Sequence, residues 1–169
     1  HMAAIALDLD FGDIVVVPSV TFLATANAAR YVKADVLFAD VDPETGVMRL
    51  EDVQRAIAGM SKGTVKAIFP VHLTGHTVNL DELAAEFPEL VLIEDACHAL
   101  GAEYETDGSM VPVGSCPHGG ITMFSTHPVK TIATGEGGML TTNSDRFAES
   151  LRRSRNHGLV REPESFLNK

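Results

Sequence analysis

Apolar residues fall along the chain in two alternating kinds of run. Short continuous runs at Ile14-Val15-Val16-Val17-Pro18, Val36 to Val41, Val65 to Val71 and Leu90 to Asp95 have the character of strands buried on both faces. Between them lie stretches with helical spacing: Leu23 to Val32, Leu50 to Ala58, and a segment capped near Asn79 that runs through Phe87. Further on, Ile121-Thr122-Met123-Phe124 and Gly138 to Thr142 predict two more strands. Asp145 to Arg155 predicts a polar helix with Phe147 and Leu151 on one face. Ala3 to Leu9 reads as the remnant of a helix, Ala96 to Ala102 as a short helix or turn, and Glu103 to Val113 as a surface hairpin or loop. Strands alternating with helices imply a mostly parallel sheet covered on both faces. The expected fold is therefore α/β, a three-layer α/β/α sandwich.

Composition narrows the partners. A formal net charge of −10 over 169 residues argues against nucleic acid, whose binders present a basic face. No apolar run approaches the ~20 residues that span a bilayer, so no membrane association is expected. Two cysteines, Cys97 and Cys116, make no disulfide framework and fit a reducing, cytoplasmic setting. His1-Met2 is set aside as a tag remnant. The domain is expected over residues 3–158, with a polar tail over 159–169. A start inside what reads as a helix suggests a piece of a longer protein.

The candidate chemistry sits at predicted strand ends, where ligands gather in open α/β sheets. Asp95 closes one strand, Ser125 follows another, and Lys130 lies five residues further on in a loop that ends at Gly135-Glu136-Gly137-Gly138. A loop lysine can form an imine with an aldehyde cofactor and then move protons. A carboxylate beside a pyridine nitrogen keeps that nitrogen protonated, and a hydroxyl with backbone amides can hold a phosphate. These are the residue types that pyridoxal phosphate requires. Taken singly, each has a plainer reading: a helix cap or surface charge for Asp95, a solvated loop amine for Lys130, a steric turn for the glycines. Their order on successive strands is what links them.

Three stretches carry a resemblance. Val17-Pro18-Ser19-Val20-Thr21-Phe22-Leu23-Ala24-Thr25-Ala26-Asn27-Ala28, then Ile93-Glu94-Asp95-Ala96-Cys97-His98-Ala99-Leu100-Gly101, then Phe124-Ser125-Thr126-His127-Pro128-Val129-Lys130 with its glycine turn, resemble the DegT/StrS family of sugar-nucleotide aminotransferases. The resemblance covers about Gly12 to Gly158 and implies part of the large domain of an aspartate-aminotransferase-like fold. It implies that Lys130 holds pyridoxal phosphate and that Asp95 partners the pyridine nitrogen. It further implies that Ser125 binds the phosphate, that His98 contacts or packs near the ring hydroxyl, and that Phe22 stacks on the ring. A plain core aromatic is the other reading of Phe22. The implied substrates are a keto-sugar nucleotide and glutamate, and the implied assembly is a homodimer of the full-length parent. The Phe-Ser-x-His-Pro-x-Lys form is most like members acting on UDP-linked 4-keto-6-deoxy-hexosamines.

Two alternatives accompany that reading. Related sugar dehydratases carry histidine where this chain has Lys130, which favours transamination. Family members are also roughly twice this length. The chain lacks an amino-terminal Ser-Gly-Thr phosphate-binding turn and a carboxy-terminal small domain, so a truncated, non-catalytic module is the other possibility. Among the remaining signals, His72 and His76 are four apart, but Gly75 and a loop setting argue against a metal pair, and no metal site is expected. Cys97 reads as an inert buried thiol, and Arg152, Arg153 and Arg155 as favourable charges at a helix C-terminus.

Overall fold

The structure is a computed structural model describing residues 1–159. In chain order its elements are α1 (Met2–Ala6), β1 (Asp13–Pro18), α2 (Leu23–Tyr31), β2 (Asp35–Ala39), α3 (Leu50–Ala58), β3 (Thr64–Ile68), a 3-10 turn (Leu73–Gly75), α4 (Leu80–Glu86), β4 (Val91–Asp95), β5 (Glu103–Thr106), β6 (Ser109–Pro112), β7 (Ile121–Ser125), β8 (Gly138–Thr141) and α5 (Asp145–Arg155). The main sheet runs β2-β1-β3-β4-β7-β8. Its first five strands are parallel and β8 is antiparallel to β7. β5 and β6 form a separate antiparallel hairpin.

The continuous apolar runs are explained by burial on two sides. Side chains alternate across a strand, and β1 gives Val16 to one face and Val15 and Val17 to the other, all fully buried. Each such valine contributes on the order of 1.5–3 kcal/mol of transfer free energy. One face packs on α1, α2 and α5 through Ala4, Ala29, Phe147 and Leu151. The other is covered by α3, α4 and the hairpin through Val53, Leu83 and Tyr104. The expected three-layer α/β sandwich is the observed fold.

Local chemistry sets the boundaries. α3 starts where the Asp52 carboxylate reaches back to accept from the Arg49 amide at 3.2 Å and from its guanidinium at 3.0 Å, and Asn79 caps α4 by accepting from the Glu82 amide. The predicted strand from Val65 to Val71 stops at Ile68 because Pro70 has no amide to donate. The chain keeps its course even so: the Asp95 amide donates to the Pro70 carbonyl at 2.8 Å, and Val71 bridges to Asp95. Ala96 to Ala102 is a series of turns, not a helix. Gly120, where β7 begins, is forced by crowding, since a Cβ there would lie 1.9 Å from the Leu92 carbonyl oxygen. Met2 opens α1, and the His1 ring meets Tyr31 edge-on at 5.5 Å. Among the described residues no helix is long and apolar enough to cross a membrane. The predicted tail lies outside the described residues from 160 onward.

Candidate active site

The carboxyl ends of β4 and β7 lie side by side, with Asp95 paired to Met123 and the Ala96 amide bonded to the Met123 carbonyl at 2.9 Å. Strand alternation turns Asp95 towards the α2 layer and Glu94 towards the opposite one. Asp95 is 6% exposed. Its Oδ2 accepts from Thr25 Oγ1 at 2.7 Å, and its Oδ1 accepts from the Cys97 amide at 3.2 Å. A hydroxyl has one proton. With Thr25 donating to the carboxylate, the 2.8 Å contact between Thr21 and Thr25 is a donation from Thr21. A short relay, Thr21 to Thr25 to Asp95, therefore orients the carboxylate from α2.

Lys130 lies in the loop that joins β7 to β8. The loop is tied at its neck: the Thr126 amide donates to the Gly137 carbonyl at 3.0 Å, the Thr134 amide to the Thr126 carbonyl at 2.9 Å, and the two threonine hydroxyls meet at 2.7 Å. Gly138 seals the neck, because a Cβ there would lie 2.6 Å from the Phe124 carbonyl oxygen. The Lys130 amide closes a turn onto the His127 carbonyl at 2.9 Å. Its side chain is half-buried.

Cys97 lies next to the Asp95 carboxylate, to which its amide is bonded. Burial pushes its thiol up to about 12, the Asp95 carboxylate adds to the rise, and the Lys130 ammonium and the Ser125 amide oppose it. The thiol itself stays protonated, in accord with an inert role.

The remaining candidates surround this centre unequally. Ser125 is half-buried, and its hydroxyl oxygen accepts from the His127 amide at 3.3 Å, leaving its proton free to be donated. Phe22 caps the N-terminus of α2 and is 77% exposed, so it is not a core aromatic. His98 is exposed, and its Nδ1 accepts from the Thr74 amide at 3.4 Å, which turns the ring towards the 3-10 turn. The structure sets Asp95 and Ser125 at the adjoining ends of β4 and β7, with Lys130 in the loop that leaves β7, and leaves Phe22 and His98 exposed. The Asp95 partner Thr25 escaped the sequence reading. Its signal was present: Thr21 and Thr25 stand one helical turn apart in an alanine-rich segment. His72 is not paired with His76. It is buried, and both its ring nitrogens are engaged, by Glu94 and by the Val78 amide.

The sequence model of the DegT/DnrJ/EryC1/StrS aminotransferase family matches residues 1–169. The chain belongs to this family. An uncharacterised protein of Methanocaldococcus jannaschii is 38% identical over 164 residues, spanning 96% of this chain and 40% of its own length. GDP-perosamine synthase of Escherichia coli O157:H7 is 36% identical over 162 residues, covering 95% of this chain and 42% of the enzyme. Among solved structures, DesV of S. venezuelae in complex with a ketimine intermediate superposes with a TM-score of 0.82 at 31% identity, covering 99% of this chain and 43% of DesV. The chain thus spans about two-fifths of the length of the relatives it matches.

Proposed function

We propose that this chain is the cofactor-binding part of a pyridoxal-phosphate-dependent aminotransferase that moves an amino group from glutamate to a keto-sugar nucleotide. The observation that carries the reading is the placement of a buried, hydrogen-bonded Asp95 carboxylate at the end of β4, beside the end of β7 from which Ser125 and the Lys130 loop emerge. The residues fit the cofactor's ring end. A primary amine sits half-buried on a braced loop, and a buried carboxylate is oriented by a hydroxyl and an amide.

Pyridoxal phosphate, when bound, supplies an electron sink for the carbon that loses its proton. Lys130 would hold the cofactor through Nζ and, once released by the donor amine, carry a proton on that nitrogen to and from the substrate carbon. Asp95 would keep a proton on the ring nitrogen, with Thr25 and the Cys97 amide holding its two oxygens. Ser125 would donate its free hydroxyl proton to the phosphate. Phe22 has an exposed ring at the head of α2 with which to cover the cofactor face, and His98 would approach the ring hydroxyl.

UDP-linked 4-keto-6-deoxy-hexosamines are the first substrates to test, from the form of the lysine motif. GDP-linked keto sugars are the second, because GDP-perosamine synthase is among the similar enzymes. The whole enzyme would be a homodimer. The decisive experiment adds pyridoxal phosphate to the protein. A visible absorbance band that disappears in Lys130→Ala is expected, and a folded wild type without any band refutes the reading for this chain. Incubating the full-length parent with glutamate and each keto-sugar nucleotide then separates amine formation from the deoxygenation a dehydratase would give.

A further inference from the structure

Directly behind Asp95, on the other face of the sheet, lies a second carboxylate that the proposed chemistry does not use. Glu94 is 3% exposed. Its Oε1 accepts from Thr122 Oγ1 at 2.8 Å, and its Oε2 lies 3.2 Å from His72 Nε2. The fully buried His72 accepts the Val78 amide on Nδ1 at 3.1 Å, which leaves Nε2 to donate to Glu94. Both carboxylate oxygens therefore have a donor from a neighbouring chain segment, one from the extension of β3 and one from β7.

Those same two segments hold the Asp95 peptide. On the β3 side, the Asp95 amide donates to the Pro70 carbonyl at 2.8 Å, and the His72 amide donates to the Asp95 carbonyl at 3.0 Å. On the β7 side, the Ala96 amide donates to the Met123 carbonyl at 2.9 Å. Pro70 ends the regular β3 ladder, so beyond it these few bonds are the connection between the two strands. β7 leads directly into the Lys130 loop.

We propose that Glu94, held by His72 and Thr122, is a positioning residue. It pins the end of β4 between the β3 extension and β7 and so fixes Asp95 relative to the Lys130 loop. This rests on the reading of Asp95 and Lys130 as the cofactor partners. A buried carboxylate is costly unless it is fully hydrogen-bonded, and an apolar side chain here would orphan the His72 N–H and leave the Thr122 hydroxyl only the weak acceptor Cys116 Sγ at 3.2 Å. Glutamine keeps the shape and one acceptor.

Amide hydrogen exchange on the cofactor-free chain tests the pin itself. Glu94→Leu is expected to speed exchange at the His72, Asp95 and Ala96 amides by about tenfold or more relative to Val16 and Val17, and Glu94→Gln to bring it back. Thr122→Val, which removes one donor, gives the same local pattern more weakly and serves if Glu94→Leu does not fold. Unchanged exchange at the three amides, or a rise equal to that at Val16 and Val17, overturns the proposal. Added pyridoxal phosphate supplies a second readout. The visible band is expected to move in Glu94→Leu and to return in Glu94→Gln. A wild type without a band defeats the cofactor reading and leaves the exchange result to decide the pin.

Discussion

Thr25→Val removes one proton donor and almost nothing else. Valine has the same shape, and Thr25 is 3% exposed, so the change opens no cavity and moves no charge. What it removes is a 2.7 Å bond to a buried carboxylate oxygen. The other oxygen keeps only the Cys97 amide at 3.2 Å. A hydrogen bond to a charged group is worth about 1.5–3 kcal/mol net, and water has little access to replace it here. Thr21 also loses its acceptor, but it is partly exposed and can turn to solvent. The expected loss is about 2 kcal/mol, a shift of roughly 1 M in the urea midpoint at a slope near 2 kcal/mol/M. Thr25→Ser is the control, because it keeps the donor and loses one methyl group, about 1 kcal/mol. Valine, which preserves every heavy-atom position, should therefore be the worse substitution. A midpoint within about 0.3 M of wild type for Thr25→Val, or a serine variant as unstable as the valine one, would show that the relay from α2 does not hold Asp95.

The other expectations draw on different parts of the fold. Lys130→Ala should abolish the visible band on addition of pyridoxal phosphate while leaving the circular dichroism spectrum unchanged; a persistent band would remove the lysine from its role. The Arg49 side chain, hydrogen-bonded to Asp52, holds that carboxyl below its ordinary value of 3.8. A lowered folded value means stabilisation present above the unfolded value and lost as pH falls through the folded one. Thermal melts of Asp52→Asn and wild type should therefore differ fully above about pH 5 and converge below 3.8, and a gap independent of pH would refute the pairing. With its thiol raised from 9.0 to about 12, Cys97 should carry about a thousandfold less thiolate than an ordinary cysteine at pH 8, and alkylation there should be correspondingly slow until the chain unfolds.

How far the site can be read from sequence depends on whether a residue's role is local or shared. The strand runs and helical spacings were legible because burial on two faces leaves no polar position in Val15-Val16-Val17, and Asn79 marks a helix start by local chemistry. Strand limits failed where a partner decides them. Val65 to Val71 looks continuous, yet Pro70 cannot complete a ladder with β4. Lys130, Ser125 and Asp95 stood out because each follows an apolar strand. Thr25 did not, because a helix threonine among alanines acquires meaning only when Asp95, seventy residues later, is placed against it. For Phe22 the sequence left core and ligand-facing readings open, and its exposure removes the first.

Glu94-Asp95 carries this distinction to its limit. Two adjacent carboxylates at a strand end look redundant in sequence. A period of two sends them to opposite faces, and the layers decide the rest. Asp95 meets Thr25 on the side of α2. Glu94 meets His72 and Thr122 on the side of α3 and α4, sealed from solvent. Parity alone cannot say which of the two faces a ligand, since exchanging the layers would exchange the roles. The arrangement does make a joint demand: a one-residue shift of β4 would place Asp95 among the apolar side chains and Glu94 beside Thr25, losing both sets of bonds at once. The buried pair therefore specifies register as well as position. Swapping the two residues, Glu94→Asp with Asp95→Glu, keeps charge and composition but gives each face a carboxylate of the wrong length. It should cost more in unfolding free energy than Asp95→Asn alone, and equal costs would mean that Glu94 does not fix the register.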